Sequence, residues 1–198
     1  MRKALLVIDV QRAYTDKNGA LHCADVEATV GRINQIVSRC EALEIPTFLV
    51  RHVHKVNGSD LGRMYDYTGE MAGDFDFKEG SDEVAFCPLL TRPLKAVEIV
   101  KTRYSAFVGT RLDEALHRLQ VDTVIVCGFM TNFCCDSTAR DAHDRDFFVD
   151  FVVDATGTPG TETMDQDNIR RIVSEFLGAG YARIYSTEDY LDTLQRAI

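Results

Sequence analysis

TVIVCGFMTNFCCDSTARDAHDRDFFVDFVV, residues 123–153, reads as one strand–helix–strand unit. Thr123–Cys127 is an apolar strand, Thr131–Asp144 a helix, and Phe147–Val153 a second apolar strand. Two strands joined by a returning helix lie parallel, with a right-handed crossover. The same alternation extends outward in both directions. Ala4–Asp9 (ALLVID) is a near-continuous apolar run, the signature of a strand covered by helices on both faces. Asp25–Leu43 carries Val26, Val30, Ile33, Ile36, Val37 and Leu43 as one helical stripe. Pro46–His52, Ala96–Val100 and Tyr181–Tyr185 read as further strands, Thr110–Leu119 and Thr161–Leu177 as helices, with a short helix from Thr187. The predicted fold is a three-layer α/β/α sandwich on a six-stranded, mostly parallel sheet. No repeat, linker or low-complexity tract interrupts it, so one domain is expected over residues 1–198. The segment Lys55–Pro93 has no clear period and is rich in Gly, Asp and aromatics; it reads as a long functional excursion with short helices.

Composition narrows the function classes. Of 198 residues 45% are apolar and 27% charged, as in globular proteins; 22 Lys and Arg against 31 Asp and Glu give a net charge of −9. Such a chain is a poor partner for nucleic acid or an anionic membrane. The basic N-terminus precedes only five apolar residues, Ala4–Ile8, too few for a signal core, so a cytoplasmic location is expected. Six cysteines (Cys23, Cys40, Cys87, Cys127, Cys134 and Cys135) contain no Cys-x-x-Cys pair and are expected as thiols.

In open parallel sheets ligands bind beyond the carboxyl ends of the strands. Asp9 closes the first strand, Lys101 follows AVEIV, and Cys134 follows TVIVCG in the first turn of a helix, so carboxylate, ammonium and thiol are expected at one crevice. Each alone has an ordinary reading as cap, solvated cation or buried thiol; together they fit nucleophilic catalysis. Thr131 as N-cap, the helix dipole and Lys101 would favour a thiolate at Cys134, Asp9 would carry its proton, and backbone N–H groups at the helix start would hold an oxyanion.

Three segments carry a resemblance: CGFMTNFCCDSTARDAHDRDFFVDFVVDAT (127–156), ALLVIDVQRAY (4–14) and KTRYSAF (101–107). The first closely resembles the cysteine signature of the isochorismatase-like hydrolases, a group including nicotinamidases, N-carbamoylsarcosine amidohydrolases and isochorismatases. The other two are similar to that family's first strand and lysine segment. The resemblance implies a catalytic triad of Asp9, Lys101 and Cys134. It also implies a cis peptide at Phe129–Met130, with the N–H groups of Met130 and Cys134 as oxyanion donors. Cys135, about 100° around the helix from Cys134, is expected to pack instead.

The implied reaction cleaves the C–N bond of a small amide, ureido or N-carbamoyl compound through a Cys134 thioester, with water as second substrate. Gln11 and Asn132 are candidate polar contacts to substrate; Tyr104, Phe107, Phe129 and Phe133 are candidate pocket walls. Nicotinamidases of the family hold a metal through an Asp-x-His pair and a further His. Here His52 stands in place of that Asp, His54 matches the first His and Gly58 the last. Neither metal nor cofactor is therefore expected, and the two histidines are placed near the pocket mouth. Alternatives are a vinyl ether hydrolase of the isochorismatase type, a nicotinamidase, an idle binding protein of the same fold, and a Cys134–Cys135 redox protein. A homo-oligomer, dimer or tetramer, is expected.

Overall fold

The structure is a computed structural model describing residues 1–19, 21–66 and 74–196. Six strands form one sheet: β1 (Lys3–Ile8), β2 (Thr47–His52), β3 (Val97–Lys101), β4 (Thr123–Phe129), β5 (Phe148–Gly157) and β6 (Arg183–Tyr185). Their order is β3-β2-β1-β4-β5-β6, and every pairing is parallel. The expected class holds, with a sheet that is wholly rather than mostly parallel.

The helices are α1 (Arg12–Thr15), α2 (Val26–Ala42), α3 (Leu112–Arg118), α4 (Asp136–His143), α5 (Gln166–Gly178) and α6 (Thr187–Gln195). Strand alternation sends β1 side chains to two cores. Leu5 and Val7 meet Val30, Ile33 and Val37 of α2 together with Tyr190 and Leu194 of α6. Ala4, Leu6 and Ile8 meet Leu112 and Leu116 of α3, Ala139 and Ala142 of α4, and Ile169 and Val173 of α5. Each full burial of such a large aliphatic side chain is worth about 1.5–3 kcal/mol. That is why the central strands read as unbroken apolar runs. Two helices have side-chain caps: Asp165 accepts from the Asn168 N–H at 2.8 Å, so α5 starts at Gln166 rather than at the expected Thr161, and Ser186 accepts from the Asp189 N–H at 3.1 Å, where a helix was expected from Thr187.

Three local features differ from expectation. The four-residue helix α1 had no periodic signal to announce it. The stretch predicted as one helix from Thr131 starts as a π-helical turn, Thr131–Cys135, before α4. Thr131 does not cap it; its hydroxyl donates to Thr156 Oγ1 at 2.8 Å, at the far end of β5. Within the Lys55–Pro93 excursion the described residues contain one short 3-10 turn, Asp82–Val84. Residues 67–73 of that excursion lie outside the described residues.

The chain moves outward from β1 to β2 and β3, then returns to β4 on the other side of β1. This reversal opens a crevice between the carboxyl ends of β1 and β4. Gly128 makes the crevice possible. It pairs with Ile8 at φ +121°, and a Cβ there would stand 2.0 Å from the Ile8 carbonyl oxygen. Gly128→Ala is expected to destabilise the protein by about 3 kcal/mol or more, measured by denaturant unfolding. Unchanged stability would show that the β1–β4 junction can relax.

Candidate active site

Three strand ends deliver three charged or reactive groups. Asp9 directly follows β1 with φ +47°, a left-handed conformation uncommon for a residue with a side chain. Lys101 is the last residue of β3, in register with His52 of β2. Cys134 lies in the turn after β4. The long lysine stem spans the end of β2, so groups from β3, β1 and the β4 turn meet. Lys101 Nζ is 2.8 Å from Asp9 Oδ2 and donates to Cys134 Sγ at 3.2 Å and to the Arg103 carbonyl at 2.9 Å. Both side chains of the Asp9–Lys101 pair are fully buried.

Burial controls the ionisation of all three. It pushes the Asp9 carboxyl above its ordinary value, with Lys101 acting against it, which makes Asp9 a stronger base than a free carboxylate. For Lys101 burial acts to lower the pKa, but Asp9 and the Cys134 sulfur outweigh it, and the net shift is upward. Burial pushes the Cys134 thiol up to about 12 despite Lys101. The expected resting thiolate is therefore corrected: desolvation outweighs the ammonium, and the thiol stays protonated near neutral pH. Cys135 is buried in the core with Ala139 and Ala142 of α4, as expected for a packing residue.

His52 and His54 extend the site away from the thiol. Lys101 Nζ is 3.5 Å from His52 Nδ1, the two Nε2 atoms are 3.0 Å apart, and His54 Nδ1 faces Asp60 Oδ1 at 3.5 Å. Burial, then Lys101 and the neighbouring imidazole, hold His52 well below its ordinary pKa; burial also lowers His54, against Asp60. Both rings are thus neutral. An ammonium can only donate, so His52 Nδ1 accepts, His52 Nε2–H donates to His54 Nε2, and His54 Nδ1–H points at Asp60. Gln11 locks this row in place: its amide N–H donates to the His52 and Val84 carbonyls, and its oxygen accepts from the His52 N–H.

These contacts also test a metal. Asp9, His52 and Cys134 could offer ligand atoms within 4.8 Å of one another. The Lys101 ammonium sits among them, within 2.8–3.5 Å of each. The two histidine Nε2 atoms are spent on each other. The donor set holds a protonated amine and does not fit a metal ion.

Above the thiol lies a cavity of about 220 Å³ with Cys134 in its lining. Among the residues predicted for substrate, Tyr104 and Phe133 line it, their ring centroids 5.1 Å apart, and so does Met130. The Phe129–Met130 peptide is cis, as the resemblance implied, and the Met130 N–H has no hydrogen-bond partner among the described residues. Four predicted contacts are corrected, since they do not line the cavity. Gln11 is fully engaged by backbone groups. Phe107 is buried against Phe147, Phe129 stacks behind Tyr14 at 5.6 Å, and Asn132 accepts from the Thr158 hydroxyl. Sequence reasoning missed Tyr14, Leu21, Met64, Tyr65, Asp76 and Phe77, all in the lining. Tyr14 ends the segment ALLVIDVQRAY, and most of the others fall in the aperiodic 55–93 excursion, which was singled out only as a whole.

The family model described as the isochorismatase domain matches residues 3–188. The chain belongs to the isochorismatase family. It is 34% identical over 158 residues to Nicotinamidase 3 of Arabidopsis thaliana, covering 78% of this chain and 73% of that protein. It is 29% identical over 193 residues to the ureidoacrylate amidohydrolase RutB of Methylorubrum extorquens, covering 87% and 76%. In structure it is similar to a cysteine hydrolase from Pseudomonas syringae pv. phaseolicola, with TM-score 0.89 and 26% identity over 100% of this chain and 94% of that one. An isochorismatase family protein from Desulfovibrio vulgaris gives TM-score 0.81 and 26% identity, covering 98% of each chain. Among the described residues no helix is long and apolar enough to cross a membrane.

A neutral resting thiol has a spectroscopic consequence. The thiolate ultraviolet absorbance of the protein minus that of Cys134→Ser is expected to be flat from pH 6 to about 9 and to rise only towards the thiol pKa of about 12. A thiolate step below pH 8 would mean that Lys101, not burial, governs the sulfur.

Proposed function

We propose that this isochorismatase-family chain is a cysteine hydrolase that cleaves the C–N bond of a small amide, ureido or N-carbamoyl compound. The observation that carries the proposal is the buried Lys101 ammonium, which touches both Asp9 and the sulfur of Cys134, the one of the three that lines the cavity. The names of two relatives, a nicotinamidase and a ureidoacrylate amidohydrolase, describe cleavage of the same bond class. The cavity is smaller than the roughly 300–1,000 Å³ of drug-sized ligand sites, in keeping with a small substrate.

Because the thiol rests protonated, its proton leaves as the carbonyl is attacked. Cys134 Sγ bonds to the carbonyl carbon while Asp9 takes the thiol proton. Lys101 keeps its charge throughout, lowering the cost of sulfur's transient negative charge and orienting Asp9. The carbonyl oxygen becomes an oxyanion, for which the N–H groups of Met130 and Cys134 serve as donors. When the C–N bond breaks, Asp9 returns its proton to the departing nitrogen, leaving a thioester on Cys134. A water molecule, deprotonated by Asp9, then attacks the thioester carbon, and the acid and the neutral thiol are released. Neutral His52 holds the lysine in place without competing for its charge.

Steady-state ammonia release from primary amides, ureas and carbamoyl amino acids tests the assignment. Cys134→Ser is expected to lose at least about 10³-fold in kcat, since an alcohol is far harder to deprotonate than a thiol. Asp9→Asn and Lys101→Ala are expected to be comparably damaging and not additive with it. Cys135→Ser should keep most activity. An active Cys134→Ser enzyme would remove the covalent mechanism and favour a cysteine-independent reaction such as vinyl ether hydrolysis.

A further inference from the structure

The lining of the cavity has an uneven charge. Among the described residues its only ionic group apart from the reacting centre is Asp76, from the excursion, half-buried, whose carboxylate makes no hydrogen bond or ion pair with another described residue. Its neighbours are aromatic: Tyr14, Tyr65, Phe77, Tyr104 and Phe133. No lysine or arginine lines the cavity, and residues 67–73, YTGEMAG, contain none. The nearest cation in sequence, Lys78, is engaged by Asp74 and lies over the Phe75 ring at 4.7 Å. Arg103 donates to the Asp60 and Thr102 carbonyls.

Electron-rich ring faces around one carboxylate with no direct ion-pair partner form a site that attracts a cation and repels an anion. Burial raises the Asp76 pKa, Glu83 and Asp74 raise it further, and Lys78, committed to Asp74, opposes them only in part. A ligand cation would supply the missing balance. The reacting end of the site has no such demand, because Lys101 is already matched by Asp9.

We infer that Asp76 is a specificity-determining residue that selects small amides bearing a protonated amine away from the scissile carbonyl and disfavours those ending in a carboxylate. This rests on the cysteine hydrolase reading of the same cavity. The scissile carbonyl sits over Cys134, and the substrate cation lies among the tyrosines against Asp76. A substrate of the ureidoacrylate kind, which carries a carboxylate, would place like charges together. The chain thus parts from that relative in substrate charge while sharing its bond chemistry.

Three matched amides test it: γ-aminobutyramide, butyramide and succinamate, which carry a cationic, a neutral and an anionic end on similar chains. For the wild type, kcat/KM is expected to fall in that order, chiefly through KM. Asp76→Asn should shrink the preference for γ-aminobutyramide over butyramide by roughly 10–30-fold. Asp76→Glu should retain the preference, and Asp76→Lys should turn it towards succinamate. If none of the three turns over, protection of Cys134 from alkylation by each compound reads the same ranking. A wild type that prefers or binds succinamate best, or an Asp76→Asn enzyme that loses kcat equally for all three, overturns the inference. Hydrolysis that discriminates by charge yet survives Cys134→Ser overturns instead the covalent reading beneath it.

Discussion

A fully buried ammonium is the constraint around which this site is arranged. An isolated charge in a protein interior costs several kcal/mol, so Lys101 persists only because its donors are met. Asp9 supplies the opposite charge, Arg103 a carbonyl and Cys134 a polarizable sulfur, one for each N–H, while the His52 ring nitrogen faces the ammonium from 3.5 Å. Each partner has its own structural support. Asp9 turns into position through a left-handed backbone; Gly128 lets β1 and β4 close together beside it; and Gln11 pins His52 at the end of β2. The switch in strand order then brings these ends to one crevice.

The same burial sets the chemistry. A low-dielectric floor strengthens the Asp9–Lys101 pair and at the same time disfavours a free thiolate. In the proposed mechanism the nucleophile is therefore stored as a thiol, and the raised pKa of Asp9 beside it suits that carboxylate to taking a proton and giving it back. The histidine row is held neutral by the same desolvation, which gives Lys101 a fixed acceptor and keeps a second positive charge away from it. Where a metal-binding relative would need ligands facing an ion, these imidazoles face each other and a lysine.

The fold was legible because both faces of the central strands are buried. ALLVID and TVIVC have no polar interruption, and the helix stripes show the 3.6-residue period. The meeting of Asp9, Lys101 and Cys134 was legible for a related reason: each sits where an apolar run stops, so counting along the strands places them at one edge. Other features depend on tertiary contacts that no local pattern encodes. Gln11 looked like a substrate ligand, but its amide serves the backbone of β2. Thr131 looked like a helix cap, but its hydroxyl reaches β5. The thiolate expectation weighed a dipole and a cation, and desolvation exceeded both. Asp76 and Tyr65 come from an aperiodic excursion, where sequence position says little about direction.

The account is tested most directly by quenching the enzyme in acid during turnover of an amide substrate, with and without hydroxylamine, and mapping the cysteine peptides by mass. It predicts a substrate acyl group, minus the departing amine, on Cys134, and its diversion to a hydroxamate when hydroxylamine competes with water. Product formation with neither adduct nor hydroxamate, or an adduct on Cys135, would contradict it.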